Sequence, residues 1–551
     1  MLRKAAMNQV RRPARRGSVL ETPGRRRARS MADDGRLGQM TREHATCLIG
    51  VDIGTQGTKS ALYGTDGTLL DQQFEASRLI SPRPGVVEQD PDEMLWSVVR
   101  TIRALMERAE HGRGIKPGQV AGIGIAAQMA GILGIDAQWK PVTPYDSWLD
   151  TRCEPYIKKM KEAAEKEIIA STGGQVTYAH GPKILWWKHE RPEAYRRIAK
   201  FILPSAYVAG AFCGLQAAEA YVDDTHLHFT GFADARKSCW NPELLSLFGV
   251  APDKLPRIVR PYARIGGLTA QWAEACGLLQ GTAVAAGCGD SAASSLGAGI
   301  TRKGMIYDVA GTASIFSCST AHFTPDLRHR TMLYMRSAMD GLWVPLAYIG
   351  GGGLCIRWFR DLHLGTDYQA LNQLAERAAI GSDGLLFIPH FTGRTCPHVP
   401  GVKGTWIGMD WNHGMAEQYR SILESIAYEY HYYYEIIKEL DQDAGAEAIY
   451  GVGGGSRSDI FNQIKADVLG LPYIPLVCGD TGTYGCAVLA GCCAGVYRDP
   501  AAALQESSRQ TKAAVMPVPE NTEKYKRFTE RYARMLSTMG PLYQLYQDIG
   551  R

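Results

Sequence analysis

A single carboxylate, Asp290, stands in the smooth run Gly-Cys-Gly-Asp-Ser-Ala-Ala-Ser-Ser-Leu-Gly-Ala-Gly at residues 287–299. Two chemistries suit that setting. In one, Gly289-Asp290-Ser291 forms a nucleophile elbow with Ser291 as the attacking hydroxyl. The fifth position is Ala293 rather than glycine, however, and no downstream acid and histidine stand out as partners. In the other, Asp290 is a general base that takes the proton of a substrate hydroxyl. A structural use competes with both, because the residues after Asp290 can start a helix that it would cap. Capping and base catalysis are compatible, since a helix N-terminus helps keep a carboxylate ionised.

The elements that must position this acid can be read on either side of it. Residues 47–70 form an apolar strand, a polar turn Gly54-Thr55-Gln56-Gly57-Thr58-Lys59, a second strand, a turn at Asp66-Gly67 and a third strand. That is a β-hairpin pattern with a Gly/Thr-rich tip. A phosphate-binding P-loop needs glycine, four residues, then Gly-Lys-Ser/Thr; here a threonine separates Gly57 from Lys59, and no long helix follows. A tight glycine turn with free backbone N–H groups can still cradle phosphate. Asp52 ends the first strand beside this turn, where a carboxylate can hold Mg²⁺ or merely stabilise the turn.

A second copy of the pattern, strand, Gly311-Thr312 turn, strand, opens at residues 304–320, about 250 residues after the first. The repeat predicts two related domains facing across a cleft, with mixed sheets and packed helices. A helix is expected at 92–108 and a strand at 120–128. Residues 449–473 run from an apolar strand through three glycines into an amphipathic helix capped by Ser456 or Ser458. Glycines at such a junction let a flat ligand or a phosphate approach the helix N-terminus. The run is only a partial dinucleotide fingerprint and lacks the acid about 20 residues on, which argues against a nicotinamide site.

Totals bound the rest. The chain's 551 residues, 45% hydrophobic and 21% charged, suit a multidomain globular enzyme, and there is no apolar run of membrane-spanning length. Its 13 cysteines form no CxxC pair or Cys/His cluster, which predicts reduced thiols in the cytoplasm and no structural zinc. The net charge of +5 is concentrated: residues 1–45 carry +8 and the remainder −3. Nucleic-acid binding by the folded body is therefore not expected. The Arg-rich extension reads as disordered: a transit peptide, a nucleic-acid arm, or an upstream extension ahead of Met31 or Met40.

Together these motifs resemble the FGGY carbohydrate kinases, of the two-domain actin/hexokinase/Hsp70-like ATPase fold, an α/β architecture with duplicated mixed-sheet domains around a cleft. The resemblance runs over about residues 46–500. It rests on the first hairpin, on residues 84–99, 124–136 and 145–153, on the Asp290 block, on residues 384–409 with 420–429, and on the triple-glycine run. It implies an N-terminal sugar-binding domain at 46–300 and a C-terminal ATP-binding domain at 301–500. A C-terminal helical segment is expected at 501–551, of which residues 520–551 read as a charged amphipathic helix pair packed on the second domain or on another subunit, with a homodimer as one option.

The resemblance further implies ATP-dependent phosphorylation of a sugar hydroxyl, most similar to xylulokinases, with other ketoses, polyols or a non-catalytic sugar sensor as alternatives. A small sugar is then the partner, ATP and Mg²⁺ the cofactors, and neither nucleic acid nor membrane is involved. Asp290 becomes the base and Asp52 the metal ligand. Gly54, Thr55, Gln56, Thr58 and Lys59, with Gly311 and Thr312 opposite, become phosphate contacts, although Lys59 can equally be an exposed hairpin lysine. Gly453, Gly454, Ser456 and Asn462 line the adenosine pocket. Gln128, Met129, Trp148, Asp150 and Arg152 face the sugar, with an Asp150–Arg152 ion pair as the structural alternative. The chain departs from the xylulokinase pattern at Gln128-Met129-Ala130-Gly131, where those kinases carry Gln-Met-His-Gly, and at Trp148-Leu149-Asp150-Thr151-Arg152, where they favour Trp-Asn-Asp-Gly-Arg.

Overall fold

The structure, a computed structural model, describes residues 46–549 apart from 364, 400, 478 and 507–509. The basic extension expected to be disordered lies outside the described residues. Two large sheets dominate, and only their strands are numbered here. The first holds β1 (Cys47–Ile53), β2 (Gly57–Gly64), β3 (Leu69–Ala76), β4 (Val120–Ala127), β5 (Arg264–Gly267) and β6 (Ala283–Ala285), in the order β5-β6-β4-β1-β2-β3, with β7 (Cys288–Gly289) also on β4. The second holds β8 (Met305–Ala310), β9 (Ser314–Cys318), β10 (Leu333–Arg336), β11 (Trp343–Ile349), β12 (Ala448–Val452), β13 (Tyr473–Val477) and β14 (Gln510–Thr511), in the order β10-β11-β9-β8-β12-β13-β14.

The wiring repeats. β1 runs antiparallel to β2 and parallel to β4, and β8 runs antiparallel to β9 and parallel to β12. β1 is apolar on both faces, Cys-Leu-Ile-Gly-Val-Asp-Ile, because helices cover both sides of its sheet. One cover is α1 (Pro91–Arg113), whose N-terminus is capped by Asp90 and whose C-terminus ends on the left-handed Gly114. α2 (Glu154–Thr172) and α3 (His180–Glu190) form a separate core in which Trp186 and Trp187 are buried. α4 (Asp290–Gly297) leads directly out of β7.

In the second lobe α5 (Gly352–Leu362), α6 (Tyr368–Arg377), α7 (Met415–Leu440) and α8 (Asp459–Leu469) surround the sheet. The tyrosine-rich run lies on α7, where Tyr428, Tyr430 and Tyr433 are buried, as the helical spacing predicts. α9 (Thr481–Ala494) departs from the expected division at residue 300, because it follows the second sheet in sequence yet packs on the first, against β1, β4 and α4. Four glycines permit this. A Cβ on Gly50 would overlap the Thr483 carbonyl, one on Gly124 that of Cys486, one on Gly297 that of Thr481, and one on Gly485 that of Ala293.

The C-terminal pair, α10 (Pro519–Thr538) and α11 (Gly540–Ile549), matches the expected helix pair. α10 docks on the second lobe rather than standing free: Tyr525 donates to Glu424 at 2.8 Å and Tyr532 to Glu429 at 3.0 Å. The two lobes also meet along one side. Tyr334 N donates to Gly173 O at 2.8 Å, Arg330 pairs with Glu165 at 2.6 Å, and Arg336 pairs with Asp224 at 3.0 Å.

Candidate active site

Three carboxylates converge where three elements end. Asp52 closes β1, Asp290 is the first residue of α4, and Asp480 caps α9 by accepting from Thr483 N at 2.9 Å. A Cβ on Gly482 would lie 3.2 Å from Asp480 Oδ1 and 3.3 Å from Asp52 Oδ2, so that glycine is what lets the two acids approach. Asp52 Oδ1 is buried without a hydrogen-bond partner among the described residues. Burial, reinforced by Asp290 and Asp480 and opposed by Lys59, pushes the Asp52 carboxyl up to about 7. Such a group calls for a cation. The Lys59 ammonium pairs with Asp480, so the hairpin lysine is engaged at the site and is not merely exposed.

Asp290 Oδ1 accepts from Ser291 N at 2.6 Å and from Ser291 Oγ at 3.3 Å. Ser291 therefore serves the carboxylate, which removes the elbow reading. Burial raises the Asp290 carboxyl above the usual carboxylate range, against the Ser291 N–H and His226, which lower it. A carboxylate of raised affinity for protons suits removal of a hydroxyl proton.

The hairpin tip divides by face, as alternation along a strand requires. Gly54 N donates to Gly57 O at 2.9 Å and closes the turn, leaving Gln56 exposed at its tip. Thr55 Oγ1 donates to Gln128 Oε1 at 3.1 Å and accepts from Trp148 Nε1 at 2.8 Å, which ties the turn to two of the expected sugar residues. Thr58 does not join them. Its hydroxyl lies fully buried 2.6 Å from Ser97 Oγ of α1, behind the sheet, so a phosphate contact by that side chain is ruled out by packing.

Gln128 is held at 2.7 Å from Gln89 Oε1, and Met129 packs where a Cβ on Gly289 would fall, directly behind Asp290. Trp148 is half exposed beside Thr55. Asp150 and Arg152 prove to be the structural ion pair. Asp150 is completely buried and both its oxygens are taken, Oδ2 by Val87 N at 2.8 Å and each by Arg152 Nε at 2.8–2.9 Å. Arg152 additionally reaches Glu88 at 2.6 Å and Asp146 at 3.4 Å, and stacks over Trp186. Neither oxygen of Asp150 is left without a partner.

Across the cleft, Gly311 and Thr312 sit at the β8–β9 turn and line a cavity of about 940 Å³ with Gly454, Gly455 and Arg457. A second cavity of about 510 Å³ is lined by Asp52, Gly453, Gly454, Ser456, Arg457, Asp480 and Lys512. Gly453 has φ 90° and a Cβ there would stand 2.7 Å from Ala310 O, so the turn needs glycine for conformation and for space. Ser456 Oγ donates to Gly453 O at 2.8 Å, and Asn462 Nδ2 donates to Ser456 O at 2.8 Å. These two pin the glycine loop from within, and Ser458 caps α8.

Two domain models match this arrangement: the N-terminal domain of the FGGY family of carbohydrate kinases over residues 47–297 and its C-terminal domain over 309–494. The chain belongs to the FGGY family of carbohydrate kinases. Its relatives include the xylulose kinase of Bacillus subtilis (strain 168), 28% identical over 491 residues, covering 88% of this chain and 95% of that one. The gluconokinase of the same organism is 26% identical over 465 residues, covering 82% and 87%. Among solved structures, a xylulose kinase from Brucella ovis superposes with a TM-score of 0.82 at 24% identity, covering 90% of this chain and all of that one. Plasmodium falciparum glycerol kinase with ADP gives 0.78 at 18%, covering 89% and 98%.

This FGGY kinase is thus an enzyme with the actin/hexokinase-like fold, a phosphotransferase acting on a carbohydrate. Reading of the sequence missed Asp480, Arg457 and Lys512. Asp480 was findable, because Gly479-Asp480-Thr481 repeats the placement of Gly289-Asp290-Ser291, an acid between a strand and a helix of small residues. No helix among the described residues is long and apolar enough to cross a membrane.

Proposed function

We propose that this carbohydrate kinase transfers the γ-phosphoryl group of ATP to a hydroxyl of a ketopentose such as xylulose, giving the 5-phosphate. The observation that carries this reading is the convergence of Asp52, Asp290 and Asp480 between two glycine turns from opposite lobes. Relatives named xylulose kinase in Bacillus subtilis and Lactococcus lactis, at 28% and 24% identity, support the choice of sugar. The twelve cysteines among the described residues, all free, support a cytoplasmic setting.

In this reading Asp290 accepts the proton of the sugar hydroxyl as its oxygen attacks the γ-phosphorus and ADP leaves. The Gly54–Thr55 and Gly311–Thr312 turns bring backbone N–H groups to the phosphates from the two lobes, and Gly453 and Gly454 let the adenosine moiety lie against backbone. Asp52, with its unpartnered Oδ1 and with Asp480 beside it, fits a divalent cation, and Mg²⁺ held there would supply neutralisation of phosphate charge. Lys59 keeps Asp480 oriented. Closure of the lobes excludes water, so that the sugar and not solvent receives the phosphoryl group.

The test is ADP release with Mg²⁺ across ketoses, aldoses, aldonates and polyols, for wild type and Asp290→Asn in parallel. A ketopentose is expected to give the highest kcat/KM, with at least a 1000-fold loss in the variant at unchanged melting temperature. A polyol or aldonate as best substrate would replace the sugar in this proposal. Binding of one sugar without ADP release would replace the kinase reading with that of a sensor.

A further inference from the structure

His226 ends the short 3₁₀ turn Asp224–His226 and is fully buried. Its Nδ1 lies 2.7 Å from Asp223 Oδ2. The other Asp223 oxygen accepts from Thr225 N at 3.1 Å and from the Thr225 hydroxyl. That hydroxyl in turn accepts from Gly289 N at 3.1 Å. Gly289 is the residue before Asp290, so the turn is stapled to the strand that delivers the base. Asp223 thereby fixes the imidazole with Nδ1–H facing the carboxylate and Nε2 turned away from it.

Nε2 has no hydrogen-bond partner among the described residues. A buried ring nitrogen left unmatched is costly unless a ligand completes it. The ionisable groups that feel the His226 ring are Asp223, Asp290 and the imidazoles of His180 and His228. Burial and mutual repulsion keep those two histidines uncharged, His228 pushed down to about 3. His226 thus stands near the base with one polar edge held and the other unmatched.

We propose that His226, oriented by Asp223, hydrogen-bonds through Nε2 to a sugar hydroxyl next to the one phosphorylated, and so sets which sugars the pocket accepts. The proposal rests on the reading of Asp290 as the base of a sugar kinase. The ligand class is a polyhydroxylated sugar or polyol with a free hydroxyl adjacent to the reacting one. An imidazole held this way meets that hydroxyl through Nε2, and a site built to satisfy a hydroxyl discriminates strongly against analogues that lack it.

The experiment compares wild type, His226→Leu and His226→Gln, using calorimetric sugar binding and steady-state kinetics on the best sugar and its deoxy analogues. His226→Leu is expected to raise the sugar KM and Kd about tenfold or more, to leave the ATP KM unchanged, and to bind the sugar and the adjacent deoxy analogue alike. His226→Gln, which keeps a polar tip, is expected to recover part of the discrimination, and it decides alone if the leucine variant does not fold. Unchanged affinity and ranking in the variants would overturn the proposal while leaving the kinase reading intact. A wild type that binds sugar but releases no ADP would overturn the kinase reading, with the calorimetric ranking still deciding the role of His226. A wild type that binds no sugar would overturn both.

Discussion

Asp52 shows how a single side chain announces its ligand. Its carboxylate is buried, one oxygen is unmatched, and the nearest charges include two more acids, so ionisation is disfavoured until a cation arrives. The sign of the pH effect follows. A carboxyl whose folded pKa is about 7 binds its proton more tightly than it does in the unfolded chain. Its stabilisation of the fold is therefore complete below the unfolded pKa near 4 and is lost as pH rises through 7. The melting temperature of metal-free protein should fall between pH 5 and pH 8. Asp52→Asn should remove part of that slope and stabilise the protein at pH 8 by on the order of 2 kcal/mol. A residual slope belongs to Asp146, which burial pushes up to about 7 against the pull of Arg152 and Lys183. Added Mg²⁺ at pH 8 should raise the wild-type melting temperature and not that of the variant; equal stabilisation of both would place the cation elsewhere. The positions of Asp52 and Asp290, each between a strand end and a glycine-rich turn or helix start, were legible from the sequence pattern. Thr58 and Asp150 misled because a motif gives neighbours in sequence and not faces. Lys59 points to the cleft, so its strand neighbour Thr58 must point behind it.

At the scale of elements, the duplicated hairpins and the strand–glycine–helix run were readable from periodicity and turn chemistry. The return of α9 to the first sheet was not. That placement depends on contacts between backbones far apart in sequence, more than 350 residues for Gly50 with Thr483 and Gly124 with Cys486, and its trace is glycine at Gly50, Gly124, Gly297 and Gly485, each of which has other uses in a sequence. The consequence is functional, because β1, α4 and α9 each deliver one of the three acids at the end that faces the cleft. Gly50 lies mid-strand, away from the acids, and offers a clean test. Gly50→Ala forces a methyl into the Thr483 carbonyl, where backbone must yield rather than a flexible side-chain tip. Overpacking of this kind costs about 1–3 kcal/mol. We expect that loss in urea unfolding, together with weaker Mg²⁺-dependent stabilisation, since α9 carries Asp480 away from Asp52 as it shifts. A destabilised variant with unchanged metal response would show that α9 supports the fold without setting the acid geometry.

For the whole molecule, Asp224 links the lobes. It accepts from Arg260 Nη1 at 2.7 and 2.9 Å, within its own lobe, and from Arg336 Nε of β10 in the other lobe at 3.0 Å. Arg260 also reaches across to Asp340 at 2.8 Å and to the Ala338 carbonyl at 3.1 Å. Burial raises the Asp224 carboxyl, and two arginines work against that rise. Removing one member of a buried pair leaves its partners uncompensated, at a cost of about 3 kcal/mol. Asp224→Asn should therefore lower stability by that amount. It should also push the urea transition toward two steps, because one of the ties between the lobes is gone. Adjacent acids on one turn face opposite ways: Asp224 holds the second lobe, and Asp223 holds His226 beside the base. Loosening the lobe contact should consequently disturb the turn that carries His226, raising the KM for sugar as well as for ATP. If the two transitions appear while the sugar KM stays at its wild-type value, the turn is rigid enough to keep the pocket independent of closure, and sugar recognition is complete within the first lobe.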